Sequence, residues 1–303
     1  MEEADYIWMD GETVKWEEAK VHALSHAMHY GTAVFEGIRA YECDGKPSIF
    51  RLDDHMERFI DSAEITELEL ERSKEQLVEA TEELILENEL ESCYIRPLAF
   101  RGYGSMGLNP LENPVRTMIA VWPWGAYLGE DALKNGVEVQ TSSWTRHHPN
   151  VMPTKAKASG NYVNSVLAKI EAAKNGKDEA LMLNTDGFVA EGSGENFFIV
   201  RDGEIVTPPS ADVLEGVTRD SVIEIAEDLG YTVREEKMTR DQVYRADEAF
   251  LTGTAAEVTP VAGVDDRNIS DGRGPVTREI QSTFMDAVRG EIDDYRDWLH
   301  VVD

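Results

Sequence analysis

Two lysines lie close together in the segment Lys155-Ala-Lys-Ala-Ser-Gly-Asn-Tyr162. A lysine amine becomes a nucleophile when partial desolvation lowers its pKa and favours the neutral form. The Ala-Ser-Gly run after the second lysine is small, so it leaves room for a bulky group beside an amine. Two exposed lysines on a loop before a helix would give the same pattern. The residues alone therefore indicate a nucleophilic lysine without separating Lys155 from Lys157.

Three further segments combine glycine with isolated polar residues. In Glu191-Gly-Ser-Gly-Glu-Asn196 the glycines let the backbone approach a flat ligand beside a carboxylate, although a solvated turn is the alternative. Glu215-Gly-Val-Thr-Arg219 opens a predicted helix, whose free amides and dipole would attract an anion. Thr252-Gly-Thr-Ala-Ala256 follows a predicted strand and could cradle a phosphate. Simple capping would explain the last two, since neither matches a P-loop or a dinucleotide fingerprint.

A histidine set near the amino terminus raises the question of a metal site. His22 and His26 are four residues apart, and His29 follows. No carboxylate or cysteine nearby completes a zinc pattern. We therefore predict no metal.

Hydrophobic periodicity places these residues on short elements. Strands are predicted at 6–9, 36–43 and 47–52, with Asp44-Gly45 as a hairpin turn between the last two. The pair Ser73 and Gln76 forms a capping box that opens a predicted helix at 73–91. Strand composition returns at 93–101 and 115–124, and helices are predicted at 218–230 and 276–289.

The segment 123–129 breaks both periods and predicts a domain junction. We predict a small N-terminal domain at 1–124, an interdomain loop at 125–134 and a large C-terminal domain at 135–303. Together with the mixture of strands and helices, this division predicts an α+β protein.

The charge balance is strongly acidic, with 59 Asp and Glu against 29 Lys and Arg and a net charge of −30. No basic cluster is present to release phosphate counterions, so a nucleic-acid partner is not expected. Hydrophobic periodicity between the acids argues against disorder. Self-repulsion of this size destabilises a compact state unless salt screens it, so the sequence favours a halophilic origin.

Targeting and membrane signals are missing from the sequence. The longest apolar runs, such as Met118–Trp122, are too short to span a bilayer, and no secretory signal is visible. The 2 cysteines, Cys43 and Cys93, match no metal or redox spacing. A cytoplasmic protein without a membrane partner is expected.

Taken in order, the segments resemble the fold-type IV pyridoxal-phosphate enzymes, specifically the branched-chain amino acid aminotransferases of the class IV family. The resemblance runs from about Ile7 to Met285. It implies a D-amino acid aminotransferase-like fold with a small α/β domain and a larger domain that has a pseudo-barrel sheet and carries the cofactor lysine. Besides the glycine-rich segments, the motifs that carry it are His26-Ala-Met-His-Tyr-Gly-Thr-Ala-Val-Phe-Glu-Gly-Ile-Arg39, His55-Met-Glu-Arg58, Tyr94-Ile-Arg-Pro97 and Gly253-Thr-Ala-Ala-Glu-Val-Thr-Pro260.

The resemblance implies pyridoxal 5'-phosphate as the cofactor and Lys157, not Lys155, as the catalytic lysine that carries it. Glu191 corresponds to the acid that pairs with the pyridine nitrogen and makes the ring an electron sink. Tyr162 corresponds to the partner of the phenolic oxygen. The residues implied to bind the phosphate are Arg58, Val217, Thr218 and Thr254.

For the substrate, the resemblance implies that Tyr94, Thr254 and Ala255 bind the α-carboxylate. Arg96 corresponds to the arginine that receives the second carboxylate of glutamate. The implied apolar walls are Phe35, Trp124 and Tyr162. Tyr30 and Leu108 correspond to residues from a neighbouring subunit, which implies a homodimer or a higher homo-oligomer. The loop 101–109 departs from the family around Tyr103, which leaves the side-chain preference open.

The resemblance implies a ping-pong transaminase that moves an amino group between L-Leu, L-Ile or L-Val and 2-oxoglutarate. Its partners are then small amino acids and 2-oxo acids. A D-amino acid transaminase or an aminodeoxychorismate lyase of the same fold type is the nearest alternative. A non-catalytic acidic binding protein on the same fold is a more distant one.

Overall fold

The computed structural model describes residues 2–125, 129–270 and 272–303, which form two compact units. The first unit runs to Trp124 and also includes Ala156–Gly160 and Ala287–Asp303. The second consists of Gly125–Lys155 and Asn161–Asp286. The segment with Lys157 therefore belongs, by its contacts, to the first unit.

The first unit is an antiparallel sheet covered by helices. Its strands are β1 (Tyr6–Met9), β2 (Glu12–Lys15), β3 (Ala33–Phe35), β4 (Ile38–Cys43), β5 (Lys46–Phe50), β6 (Cys93–Arg101), β7 (Val115–Trp122) and β17 (Leu299–Val301), and the helices are α1 (His26–Tyr30), α2 (Leu52–Ile65) and α3 (Lys74–Glu87). The strand order is β17-β5-β4-β6-β7-β1-β2, with β3 also paired to β6. Helices α2 and α3 cover this sheet.

The core of the first unit lies between these helices and the sheet. Met56 and Phe59 of α2 and Leu77, Leu84 and Ile85 of α3 are almost completely buried. Burying a side chain of this size contributes about 1.5–3 kcal/mol, so the amphipathic faces hold both helices on the sheet. Helix α2 is thereby fixed next to β3.

A mixed sheet runs through the second unit. Its strands are β8 (Val137–Thr141), β9 (Glu179–Leu183), β10 (Val189–Gly192), β11 (Asn196–Arg201), β12 (Glu204–Thr207), β13 (Val233–Glu235), β14 (Glu248–Gly253), β15 (Glu257–Val264) and β16 (Arg267–Asn268), and the helices are α4 (Glu130–Asn135), α5 (Tyr162–Lys174), α6 (Val217–Asp228), α7 (Arg240–Val243) and α8 (Pro275–Val288). The strand order is β10-β9-β8-β15-β14-β11-β12-β13, with β16 also paired to β15. Short 3-10 helices of the chain lie at Trp16–Glu18, Ser159–Asn161, Ser210–Asp212 and Asp293–Trp298.

Several predicted elements are confirmed. Strand Cys93–Arg101 has the predicted bounds, and Ser73 caps α3 through the predicted box with Gln76. Asp44 and Gly45 both have positive φ, as a tight hairpin turn requires.

Other boundaries differ for local reasons. The strand predicted at 115–124 ends at Trp122, because Pro123 has no backbone N–H to donate. The strand predicted from residue 36 begins two residues later, at Ile38. Of the loop predicted at 125–134, residues 126–128 lie outside the described residues, and α4 spans Glu130–Asn135.

Neither a membrane-spanning helix nor a metal-binding cluster is found within residues 2–125, 129–270 and 272–303. Helices there are too short or too polar to cross a bilayer. Groups of three or more His, Cys, Asp or Glu arranged to hold a metal ion are also missing from these residues.

Candidate active site

Hydrogen bonds on both sides fix the backbone of Lys157. Phe35 donates its amide N–H to the Lys157 carbonyl oxygen at 3.0 Å, and Val34 and Ala158 form an antiparallel bridge. On the other side, the Lys157 amide donates to Ser62 Oγ of α2 at 3.0 Å. Lys157 therefore extends the pairing of β3 and is tied to the helix that covers it.

A close glycine contact lets this segment approach. Gly31 has a φ of +68°, and a Cβ built there would lie 2.9 Å from the Gly160 Cα atom. That conformation and spacing favour glycine at position 31. Glycine at position 31 therefore allows the segment after Lys157 to approach closely.

The side chains of the two candidate lysines have different surroundings. Lys157 Nζ lies 5.3 Å from the centroid of the Phe35 ring, within the range of a cation–π contact. Lys155 Nζ instead forms an ion pair with Glu215 Oε1 at 2.8 Å and donates to the Ser210 carbonyl. Lys155 is thus engaged in a partly exposed ion pair, whereas Lys157 lies beside an aromatic side chain.

Helix α2 presents His55, Arg58 and Ser62 on one face. Arg58 donates from Nε to Glu36 Oε1 at 2.7 Å and from Nη2 to Glu36 Oε2 at 2.8 Å. His55 Nδ1 lies 2.8 Å from Oε2 of the same carboxylate. Burial alone would raise the pKa of Glu36, but the charge of Arg58 and the hydrogen bond from His55 lower it well below its usual range. Glu36 is therefore an ionised carboxylate that holds Arg58 in place.

An aromatic cluster surrounds Arg96 in the same unit. The β6–β7 register sets Tyr94 opposite Trp122, with ring centroids 5.1 Å apart, and Trp124 lies 5.1 Å from Tyr94. The Arg96 guanidinium carbon lies 4.9 Å from the Phe35 ring centroid, and Arg96 Nη2 donates to the Tyr94 hydroxyl at 3.2 Å. Arg96 Nε is buried without a hydrogen-bond partner among the described residues. This cluster offers an apolar surface with one cationic group.

The predicted subunit-contact residues, Tyr30 and Leu108, lie on the exterior of the first unit. Leu108 is 82% exposed and Tyr30 45% exposed. Tyr30 donates its hydroxyl to the Met106 carbonyl at 3.2 Å, so α1 and the 101–109 loop are joined. The buried His26 lies 3.0 Å from the Gly107 carbonyl through Nε2 and thus braces this loop.

In the second unit, positively polarised groups surround Glu191. It lies on β10, and its Oε1 is 2.6 Å from Arg146 Nε in a buried ion pair. Its Oε2 accepts from the Leu214 amide at 3.2 Å and from Asn196 Nδ2 at 3.3 Å. One cationic side chain and two hydrogen-bond donors therefore hold Glu191 in place.

The predicted anion-binding residues of the second unit lie at a helix start and in a turn. Val217 and Thr218 form the buried first turn of α6, where amide N–H groups have no partner within the helix. A Cβ at Gly216, the N-cap, would meet Asn196 Oδ1 at 2.1 Å, so this helix start is held close to the strand after Glu191. Thr254 and Ala255 lie in the turn between β14 and β15, and Tyr162 is the first residue of α5.

A second buried carboxylate, Glu195, lies in the loop that follows Glu191. The Gly194 amide donates to its Oε2 at 3.1 Å. Burial and the charge of Glu179 raise the pKa of Glu195 to about 8. In the folded protein Glu195 therefore keeps its proton at pH values where an exposed carboxyl would lose it.

We expect Glu195→Gln, which mimics the protonated form, to remove one pH-dependent part of stability. Between the usual pKa of 4.5 and about 8, the folded protein binds a proton at Glu195 that the unfolded chain lacks. The free energy of unfolding therefore falls with rising pH in this window. In denaturant unfolding, the free energy of unfolding of the variant should increase relative to that of the wild type as pH rises from about 5 to about 8. A constant difference between the two proteins would contradict the assignment.

The residue patterns missed five side chains that organise the site: Glu36, His55, Ser62, Trp122 and Arg146. Glu36 and His55 lie within motifs that carried the family resemblance, and this position was the signal that could have identified them as site residues. Arg146 stands next to two histidines in a segment that looks like a plain loop.

Comparison with known families and structures gives a consistent match. The model of the amino-transferase class IV family matches residues 33–264. A branched-chain-amino-acid aminotransferase of Pseudomonas aeruginosa is 49% identical over 297 residues, covering 98% of this chain and 97% of the relative. The Escherichia coli K12 protein of the same name is 48% identical over 302 residues, with 99% and 98% covered.

Solved structures agree with the sequence comparison. A branched-chain amino acid aminotransferase from T.th., solved with pyridoxamine 5'-phosphate, has a TM-score of 0.97, 53% identity and full coverage of both chains. The Escherichia coli branched-chain amino acid aminotransferase has a TM-score of 0.97 and 47% identity, with 99% of this chain and 100% of that chain covered. The predicted fold class is thereby confirmed.

Proposed function

Because this chain belongs to the class IV aminotransferase family, we propose that it is a pyridoxal-phosphate-dependent transaminase of branched-chain amino acids. It moves the amino group between L-leucine, L-isoleucine or L-valine and 2-oxoglutarate, in the two half-reactions of a ping-pong cycle. The observation that carries the proposal is the placement of an amine and a guanidinium about one aromatic ring. Lys157 Nζ lies 5.3 Å and the Arg96 guanidinium carbon 4.9 Å from the Phe35 ring centroid.

The residues present fit the cofactor. When bound, pyridoxal 5'-phosphate supplies an electron sink for the charge that is left when the substrate Cα loses its proton. Lys157 holds the cofactor and carries that proton as general base and then as general acid. Glu191, oriented by its ion pair with Arg146, holds the proton on the pyridine nitrogen, and Tyr162 partners the phenolic oxygen. The phosphate-binding residues are Arg58, Val217, Thr218 and Thr254.

Substrate recognition requires one pocket for an aliphatic chain and for a second carboxylate. Phe35, Trp124 and Tyr162 supply the apolar walls, and Tyr94, Thr254 and Ala255 bind the α-carboxylate. Arg96 pairs with the distal carboxylate of glutamate or 2-oxoglutarate. The unpartnered Arg96 Nε among the described residues supports this role, since a buried donor without a partner is costly.

An absorbance spectrum tests the reaction. The purified protein should show a visible cofactor band that shifts when L-leucine is added and returns when 2-oxoglutarate follows. A protein that responds to D-alanine instead belongs with the D-amino acid transaminases. If a product is released but 2-oxoglutarate does not restore the cofactor band, the protein is a lyase. A protein that takes up no cofactor contradicts the proposed function, and only the fold assignment then stands.

We further propose a homodimer in which Tyr30 and Leu108 of each subunit complete the partner's substrate pocket. Met28 and Leu111, close to them in the sequence, are also exposed apolar residues, and clusters of such residues often mark contact surfaces. Sedimentation in high salt should give twice the monomer mass of 33.9 kDa or a multiple of it. A monomer active at the same concentration contradicts the proposal.

The acidic surface leads us to propose a halophilic and cytoplasmic enzyme. Screening lengths fall from about 10 Å at 0.1 M salt to about 3 Å at 1 M, which relieves repulsion at a net charge of −30. The melting temperature should therefore rise with KCl concentration, and one that does not fall as salt is removed contradicts the halophilic origin. Two buried, unpaired cysteines suit a reducing compartment.

A further inference from the structure

A completely buried carboxylate, Glu36, joins the loop between β3 and β4 to helix α2. Both of its oxygens accept from Arg58, at 2.7 Å from Nε and 2.8 Å from Nη2. Oε2 also accepts from the Gly37 amide at 3.2 Å and lies 2.8 Å from His55 Nδ1. The Glu36 and His55 side chains are 0% and 1% exposed, so water contributes little to this arrangement.

Such a buried ion pair is expensive to keep for stability alone. Desolvation of the two charges offsets most of their attraction, and apolar residues of similar volume often stabilise a core as well. What a bidentate carboxylate–guanidinium pair adds is orientation, because two parallel hydrogen bonds fix the plane of the guanidinium. The arrangement is therefore suited to aiming Arg58.

His55 strengthens that arrangement through its tautomer. Burial lowers the pKa of His55 despite the neighbouring Glu36 carboxylate, so the ring is neutral. A neutral imidazole carries one N–H, and the contact with Glu36 Oε2 assigns it to Nδ1. His55 thus donates a hydrogen bond that fixes the orientation of the Glu36 carboxylate.

We propose that Glu36 and His55 are positioning residues that aim the Arg58 guanidinium at the cofactor phosphate. A guanidinium has five N–H donors. Pairing through Nε and Nη2 sets the direction in which the others point. Helix α2 also binds the Lys157 backbone through Ser62, so one helix relates the phosphate-binding arginine to the cofactor lysine. The inference rests on the proposed function and deepens it.

The alternative role of Glu36 is a brace that merely keeps α2 on the sheet. The two roles differ in what a variant does to ligands with and without a phosphate. A brace affects pyridoxal 5'-phosphate and pyridoxal alike, because both need Lys157 and Glu191. A positioning residue affects only the ligand whose phosphate meets Arg58.

The experiment measures dissociation constants of the full chain, freed of cofactor, for pyridoxal 5'-phosphate and for pyridoxal by absorbance titration. We expect Glu36→Gln to weaken the binding of pyridoxal 5'-phosphate about 10- to 100-fold, by analogy with the loss seen when a residue that orients a metal ligand is removed. Pyridoxal binding should stay within about twofold, the additivity error of independent sites. The matched control is Glu42→Gln, an exposed glutamate on β4, which should leave both constants unchanged.

A double variant tests the route through Arg58. Once Arg58→Met has removed the guanidinium, adding Glu36→Gln should weaken pyridoxal 5'-phosphate no further. Should Glu36→Gln alone fail to fold, His55→Leu provides the same comparison and should give a smaller, phosphate-selective loss. The inference is overturned if Glu36→Gln weakens the binding of both ligands equally. It is also overturned if the affinity losses of the two single variants add in the double variant. Those results leave the proposed function standing, whereas a wild type that binds neither ligand overturns both.

Discussion

Replacing Lys157 with alanine should lower kcat for amino transfer from L-leucine to 2-oxoglutarate by on the order of 10⁴-fold, the upper range for a general acid–base group. In the proposed mechanism the loss has two causes, because the same amine would hold the cofactor and move the proton at the substrate Cα. The measurement is a coupled assay of glutamate formation in high salt. The residual rate should not recover with added cofactor.

The neighbouring lysine gives a matched control. Lys155→Ala removes the same group two residues away, but its amine pairs with the partly exposed Glu215. Exposed ion pairs contribute about 0–1 kcal/mol, so we expect little change in kcat. Comparable losses in the two variants would contradict the assignment of Lys157.

The second large effect is expected at Glu191. Glu191→Gln should lower kcat by about 10²- to 10³-fold, the usual effect of deleting one preorganised electrostatic group. In the proposed mechanism the pyridine nitrogen would then have no anionic partner, and the ring would withdraw electrons less strongly. KM for L-leucine should change little, because Glu191 does not meet the substrate. Steady-state kinetics at saturating cofactor provide both constants.

Two comparisons make the Glu191 result specific. Glu215→Gln removes a carboxylate that is 60% exposed and paired with Lys155, and it should leave kcat nearly unchanged. Glu191→Gln should also move the visible band of the bound cofactor, since the protonation state of its ring changes. A full kcat in Glu191→Gln, or an unshifted band, would contradict the role of this carboxylate.

Local sequence signals were sufficient to predict the position of many secondary-structure elements. Ser73 and Gln76 define the start of α3 because both partners of the capping box lie within one turn. The strand at Cys93–Arg101 was found because its composition is typical of strands, and its pairing with β4 and β7 buries most of its residues. The end of β7 was placed two residues late, although Pro123 was present as a signal.

The choice between Lys155 and Lys157 shows the limit of residue patterns. Both lysines stand among small residues, and what separates them lies far away in the sequence. Lys157 is fixed by Phe35 and Ser62, whereas Lys155 pairs with Glu215. Family resemblance supplied the choice that composition and spacing left open.

The polar groups behind the site were missed for the same physical reason. Glu36 meets Arg58 across 22 positions, and Arg146 meets Glu191 from another part of the second unit. In a chain with 59 acidic residues, a single glutamate carries no signal until its burial is known. Burial and the particular neighbours separate Glu36, with a lowered pKa, from Glu195, with a raised one.

The most direct test of the account is to locate the amine that holds the cofactor. The purified holoenzyme is reduced with sodium borohydride, which fixes the cofactor covalently to that amine, and is then digested and sequenced by tandem mass spectrometry. We expect a phosphopyridoxyl group on Lys157 and none on Lys155. Modification of Lys155 or of any other lysine, or a protein that carries no such group after incubation with the cofactor, would contradict it.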